Sequence, residues 1–160
     1  MEKTISKKDI LNRKLREQEE EKTEEKTEEK TEEKTEGGGN NNFTQLVSKI
    51  LHSRNQVHIF HLQTKSYAEH IALNEFYDGV LGLFDGLIES YQGKHGIISN
   101  YKCEGFENYK SSEQVVNYLK TLDGDIESLR KSIKESFLQN QIDTIQELIN
   151  STLYKLRFLN

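Results

Sequence analysis

Three histidines and two carboxylates lie inside one otherwise apolar stretch of the sequence. They are His58, His61, His70, Asp85 and Glu89. Imidazoles and carboxylates are costly to place toward a helix-bundle interior unless something pairs with them, and a divalent metal ion accepts both ligand types. The residue types therefore predict a metal site, with these five side chains as its candidate ligands.

Two predicted helices position these residues. Apolar residues recur every three or four positions from Phe43 to Gln63, which is the spacing of an amphipathic helix. Ser66 and Glu69 form an S-x-x-E capping box, in which hydroxyl and carboxylate bond each other's backbone amides, so a second helix begins there. The Gln92-Gly93 pair is expected to end the second helix.

The geometry of the second helix constrains which ligands can meet. At about 100° per residue from His70, Asp85 falls near 60° and Glu89 near 100°, so the three share one longitudinal stripe. Asp85 lies roughly 22 Å from His70 along the axis, too far for one ion. A short turn folds the first helix back, which brings its two histidines close to His70. Two-fold antiparallel pairing with a second copy would bring the histidine end of one chain against the carboxylate end of the other.

The intervals between four of the candidates match a known pattern. Eleven residues separate His58 from His70, fourteen separate His70 from Asp85, and three precede Glu89. This spacing resembles the ferroxidase signature of the Dps proteins, or mini-ferritins. The resemblance implies that two histidines of one subunit and the Asp and Glu of its two-fold mate bind iron, and that the assembled shell oxidises Fe²⁺ and stores it as Fe³⁺. The phrases HLQTKSYAEH and ESYQG also resemble those of small ferritin-like proteins encoded by tailed bacteriophages.

The chain also departs from the Dps pattern. Ile59 stands where the family has Trp, and Ser90 stands where the family usually has Arg. His61 has no counterpart in the signature and is a ligand instead of, or beside, His58. Two other interpretations stay open. One is a non-catalytic, phage-type assembly or interaction protein that keeps the bundle, and the other is a static site for zinc or another divalent metal made by the three histidines alone.

The composition bounds the class of protein. The chain has 160 residues, one cysteine, no proline and no tryptophan. A single cysteine, Cys103, excludes an intrachain disulfide framework and a Cys-based zinc finger. No apolar run reaches the length of a signal peptide or membrane span. We therefore expect a cytoplasmic protein, in the host cytoplasm if it is phage-encoded, with no membrane partner.

Residues 1–42 differ from the rest of the chain. The first sixteen residues are basic, EEKT then occurs four times between residues 20 and 35, and GGGNNN follows. A segment with no apolar face cannot join a core, so we expect a disordered charged tail. One alternative for the basic start is a DNA-binding arm, but eleven glutamates in residues 17–36 oppose it. The other is a short amphipathic turn with Leu11 and Leu15 that docks on a partner.

The second half of the chain predicts two further helices. Gly93 to Lys110 lacks periodicity and is long enough to return along a helix, so we expect a crossover pinned by its aromatic residues Tyr101, Phe106 and Tyr109. A capping box at Ser111 opens the third helix. The third helix is predicted to run to Phe137, and a break at 139–141 is expected to precede the fourth.

These elements together predict an all-α fold. It is a ferritin-like four-helix bundle over residues 43–160, with a long crossover between the second and third helices. The last two helices lack the Glu-x-x-His pair of long-chain ferritins, which argues against an intrachain di-iron centre. The expected assembly is a homo-oligomer that is at least a two-fold dimer, and a larger cage stays open.

Overall fold

The computed structural model describes residues 42–102 and 104–159. Within these ranges the chain is all-helical, with four helices and no strand. The predicted tail therefore lies outside the described residues, except for Asn42, which is already helical. Cys103 is also outside them. The helices are α1 over residues 42–63, α2 at Tyr67–His95, α3 at Ser112–Ser132 and α4 at Ser136–Phe158.

Helices α1 and α2 are antiparallel neighbours. At one end the ring of Phe43 stacks on that of Tyr91, with 3.5 Å between centroids. At the other end the rings of His61 and His70 stack at 3.7 Å. The three-residue turn at 64–66 joins the helices at the histidine end. The predicted helical hairpin is confirmed.

Helix α3 lies against the other side of α1. Phe60 makes an edge contact with Tyr118 at 5.9 Å, and Lys49 pairs with Asp125 at 2.6 Å. These contacts run in opposite directions along the two helices, so α3 is antiparallel to α1 and parallel to α2. Parallel helices need a long connection, and residues 96–111 supply it.

Helix α4 packs on both α2 and α3. The Gln141 amide donates a hydrogen bond to the backbone oxygen of Gly86 at 3.3 Å, and Lys155 pairs with Glu75 nearer the start of α2. Helix α4 is therefore antiparallel to α2. The approach is close at Gly79, where an added Cβ would lie 3.3 Å from a methyl carbon of Leu148.

One apolar cluster forms the core and draws on all four helices. Its fully buried side chains include Phe60 of α1, Phe76 of α2, Ile126 of α3 and Ile145 of α4. Each such side chain contributes about 1.5–3 kcal/mol through burial. Among the described helices, none is long and apolar enough to cross a membrane.

Two helix boundaries differ from the sequence prediction. Helix α2 continues past Gly93 to His95, because Gly96 adopts the left-handed backbone (φ 85°) that caps it, and its amide bonds the Gln92 oxygen. Helix α3 ends at Ser132, before the expected break at 139–141. Leu138 is fully buried and Phe137 is 47% exposed. The α4 core seam therefore starts at Leu138, and Phe137 does not continue that of α3.

The crossover is held by side chains of α1. Within the described part of residues 97–110, the backbone makes no hydrogen bond to another backbone group. Four polar side chains along one stripe of α1 bond it instead, which keeps it extended beside the helix. They are Ser48 with the Lys102 amide, His52 with the Gly105 oxygen, Gln56 with both backbone groups of Glu107, and Gln63 with the Tyr109 amide.

The aromatic residues of the crossover contribute unequally. Tyr109 is half-buried and makes an edge contact with Phe60 at 6.4 Å, as expected. Phe106 is 51% exposed but stacks on His52 at 5.0 Å. The prediction is wrong for Tyr101, which is 45% exposed. The fully apolar anchor is Ile98, which is 4% exposed.

Candidate metal-binding site

The three predicted histidines meet at the α1–α2 turn. The rings of His61 and His70 stack at 3.7 Å with an interplanar angle of 22°. The ring of His58 lies 5.7 Å from that of His61. His61 is 7% exposed, whereas His58 and His70 are half-buried. Two of the three imidazoles can therefore be reached from outside the bundle.

His61 and His70 hold each other through reciprocal hydrogen bonds. His61 Nδ1 donates to the backbone oxygen of His70 at 2.9 Å, and His70 Nδ1 donates to that of His61 at 3.0 Å. A carbonyl oxygen only accepts, so each Nδ1 carries a proton, and Nε2 is the ring nitrogen left to bind a metal ion when it is not protonated. Metal-binding histidines are commonly oriented in this way. The donor chemistry of the pair therefore fits a metal ion.

His58 lies on an aromatic support. Its ring stacks on that of Tyr77 at 4.2 Å. The Arg54 guanidinium lies 5.8 Å from the centroid of the Tyr77 ring. The Tyr77 hydroxyl donates to Asn74 at 2.7 Å. Helix α2 therefore positions His58 as well as presenting His70.

Asp85 and Glu89 lie on the exposed side of α2. Within residues 42–102 and 104–159, neither carboxylate makes an ion pair or a side-chain hydrogen bond. Asp78, on the same stripe, accepts a bond from Asn74 at 2.9 Å. No three His, Cys, Asp or Glu side chains of the described chain converge into a group that could hold a metal ion. One chain thus brings the histidines together but leaves the two carboxylates apart from them.

A hydrogen-bonded group beside the histidines was not expected from the sequence. Thr64, Glu69 and Tyr109 form what we call the Glu69 cluster. The hydroxyls of Thr64 and Tyr109 both donate to Glu69 Oε2, at 2.6 and 2.9 Å. The capping box is half confirmed, because Ser66 Oγ accepts from the Glu69 amide at 3.3 Å. The other half, a bond from the Ser66 amide to the Glu69 carboxylate, is wrong. The Ser66 amide donates to the Thr64 hydroxyl at 3.2 Å instead, so the Glu69 carboxylate can accept from Tyr109.

The Glu69 carboxylate is an unusual buried group. Glu69 is 1% exposed, and its Oε1 is buried without a hydrogen-bond partner among the described residues. Burial and the neighbouring carboxylate raise the pKa of Tyr109, so its phenol stays protonated and acts as a donor. Tyr109 is forty residues from Glu69, so no local pattern could have indicated the contact.

A polar cavity of about 640 Å³ lies between α1, α3 and the crossover. His52 and Tyr118 line it and are 3.2 Å apart through Nδ1 and the hydroxyl. Burial, with nearby carboxylates, raises the pKa of Tyr118. The Gly105 oxygen can only accept from His52 Nε2, so in that tautomer Nδ1 accepts from the Tyr118 hydroxyl. The charges lining the cavity are mixed, and Lys49 is already paired with Asp125. No single ligand charge is therefore favoured there.

His95 lies at the opposite end of α2 from the candidate site. Its Nε2 is 3.3 Å from the Glu135 carboxylate, which Lys94 also contacts at 2.8 Å. The hydrogen bonds from Lys94 and from the backbone amide, followed by the charge of Lys94 and the proximity of His95, lower the pKa of Glu135 to about 2. His95 therefore lies beside the Lys94–Glu135 ion pair that joins α2 to the start of α4.

Comparison with known proteins places the chain in a family. A family model described as a family of unknown function (DUF5856) matches residues 61–156. No curated protein and no solved structure is detectably similar to the chain. The matched span contains His61, His70, Asp85 and Glu89 and begins after His58. Because it covers more than half of the sequence, the chain belongs to the DUF5856 family.

Proposed function

We propose that the protein is a Dps-like iron-binding protein whose site is shared by two subunits. The histidines of one subunit and Asp85 and Glu89 of a two-fold-related second subunit would bind Fe²⁺ together. The main support is that the two carboxylates are exposed and have no partner among the described residues, on the face of α2 that also presents His70. Parallel α2 and α3 joined by a long crossover support a ferritin-like relationship for the bundle.

The donor set suits iron. Two imidazoles with one or two carboxylates are the usual protein ligands of Fe²⁺ in non-haem sites that keep open positions. In this proposal Fe²⁺ is the substrate, peroxide or oxygen takes its electrons, and the Fe³⁺ product is stored inside an assembled shell. Another divalent metal would bind the same donors. The cytoplasmic location stays a prediction.

The exposure of the rings assigns their roles. His58 and His70 are half-buried and can face a second subunit. His61 is 7% exposed and braces His70 through the reciprocal hydrogen bonds. We therefore assign His58 and His70 as the principal ligands of the histidine end, with His61 as the residue that orients His70.

The alternative is an assembly or interaction bundle of the phage type, without catalysis. It is favoured by exposed apolar side chains on the α1–α2 hairpin, where Leu51 is 37%, Ile71 40% and Leu81 49% exposed. In this alternative, these side chains would be covered by another surface. Association alone does not require Asp85 or Glu89, and this separates the two proposals.

The deciding experiment is anaerobic Fe²⁺ titration of the full-length protein, with its mass determined by light scattering, followed by peroxide addition while ferric absorbance is recorded. We expect saturable binding and oxidation that His70→Ala and Asp85→Ala each abolish. Asp78→Ala, on the same stripe, is the matched control and should bind normally. A static three-histidine site would instead leave the Asp85→Ala variant with unaltered metal affinity.

Subunit mixing tests whether the site is shared. When His70→Ala and Asp85→Ala chains are refolded together in equal amounts, each mixed dimer has one site with all its ligands intact. About one quarter of the wild-type sites should therefore return. No recovery in a mixture of confirmed mass would contradict a shared site. An intact oligomer that binds no iron at all would contradict the iron-binding proposal and favour the assembly or interaction bundle.

A further inference from the structure

We infer that Glu69 and Tyr109 are positioning residues that set the orientation of the His61–His70 pair. This inference rests on the proposed function for its consequence in metal binding. The Glu69 cluster is not a set of ligands. It lies at the turn whose two ends carry the two histidines.

The orientation of the pair depends on the relation between two helix ends. Each histidine bonds the backbone oxygen of the other helix, at 2.9 and 3.0 Å. Hydrogen bonds weaken steeply as they lengthen or bend. A small change in the separation or angle of the two ends would therefore break both Nδ1–H hydrogen bonds, and each ring could then change its tautomer.

Tyr109 bridges those two helix ends. Its backbone amide donates to Oε1 of Gln63, the last residue of α1, at 2.6 Å. Its hydroxyl donates to Glu69, in the first turn of α2, at 2.9 Å. Thr64 completes the cluster from within the turn, through its 2.6 Å bond to the same carboxylate oxygen. Tyr109, near the end of the crossover, thus contacts both helices of the hairpin.

The burial of Glu69 indicates a fixed geometry. Both bonds reach one oxygen, and the other oxygen is buried without a partner among the described residues. A buried carboxylate is costly, and it depends on the donors that remain. Without the Tyr109 hydroxyl, the Glu69 carboxylate keeps a single side-chain donor, that of Thr64. The turn should therefore rearrange so that the carboxylate becomes exposed to water.

The test is long-range ¹H–¹⁵N NMR of the imidazoles in the full-length protein without metal, combined with Fe²⁺ titration. The variants are Tyr109→Phe and Glu69→Gln. Tyr118→Phe is the matched control, because Tyr118 also makes an edge contact with Phe60 and also donates a hydrogen bond, but to His52. Tyr109→Phe decides if Glu69→Gln does not fold.

In the wild type we expect His61 and His70 to be Nδ1-protonated. Tyr109→Phe should give mixed tautomers and weaken Fe²⁺ binding by about tenfold, the lower end of the effect of residues that orient metal ligands. Tyr118→Phe should change neither. Unaltered His61 and His70 signals in folded Tyr109→Phe would overturn the inference. If wild type binds no Fe²⁺ while these signals change in Tyr109→Phe, the proposed function fails and the positioning role stands.

Discussion

At the scale of single residues, a few hydrogen bonds orient the histidines at the turn between α1 and α2. The His61–His70 pair uses only Nδ1 protons and backbone oxygens, and leaves Nε2 available. The clustering of three histidines could be predicted because helix periodicity and a short turn determine it. Tyr109 could not, since its contact with Glu69 joins distant parts of the chain and depends on the path of the crossover.

Glu135 gives a prediction at this scale. Its pKa falls from 4.5 to about 2, first because of the hydrogen bond from Lys94. A lowered pKa in the folded state contributes stability that is complete above the unfolded value and is lost as the pH falls toward 2. In urea unfolding at neutral pH, the free energy of unfolding should be larger for wild type than for Glu135→Gln. This difference should disappear as the pH falls from about 4.5 to 2.

The control for this prediction is Glu147→Gln, at an exposed carboxylate of α4 that forms no ion pair within the described chain. That variant should track wild type across the same pH range. A stability difference for Glu135→Gln that stays constant down to pH 2 would show that the Lys94 contact does not act through the charge of Glu135.

At the scale of elements, periodicity and caps predicted most helix positions. The Ser66 and Ser111 caps begin α2 and α3 where expected, because each hydroxyl accepts an amide three residues on. The end of α3 was missed for a physical reason. Phe137 continues the spacing of an apolar seam, but spacing alone does not tell a core side chain from an exposed one in the first turn of the next helix.

The attachment of the crossover gives the prediction at this scale. Gln56 is 1% exposed and bonds both backbone groups of Glu107 at 2.8 Å. Replacing it with leucine, of similar volume, should lower the free energy of unfolding by about 1–3 kcal/mol, because two hydrogen bonds are lost. Hydrogen exchange at the Glu107 amide should accelerate.

Gln45 provides the matched control on the same helix. It is exposed and makes no side-chain hydrogen bond among the described residues, so Gln45→Leu should leave the Glu107 amide protected. Equal protection of that amide in Gln56→Leu and wild type would mean that the crossover is held by its apolar contacts instead.

At the scale of the whole molecule, the hairpin of α1 and α2 is the side on which the proposed subunit contact lies. The all-helical bundle could be predicted, because four amphipathic segments must bury their apolar faces together. A second subunit could only be proposed. The sequence of one chain specifies exposed candidate ligands and exposed apolar residues, but the proposed contact depends on a surface that one chain cannot complete.

Leu81 tests that surface. It is 49% exposed on the α2 face that carries the candidate ligands. Leu81→Glu should reduce the mass measured by light scattering while the helical circular dichroism stays unaltered, because burying a new charge at an interface is costly. Phe137→Glu, at a residue 47% exposed on α4, should keep the wild-type mass. Equal masses for both variants would place any subunit contact elsewhere.

The side-chain attachment of the crossover also has a consequence for the order of folding. The contacts of Ser48 and Gln56 with the crossover span 54 and 51 residues, whereas those of His61 with His70 span nine. Closing a long loop costs more entropy than closing a short one. We therefore expect the helical hairpin to form early and the crossover to dock late, so that the two histidines meet before Tyr109 arrives to fix them.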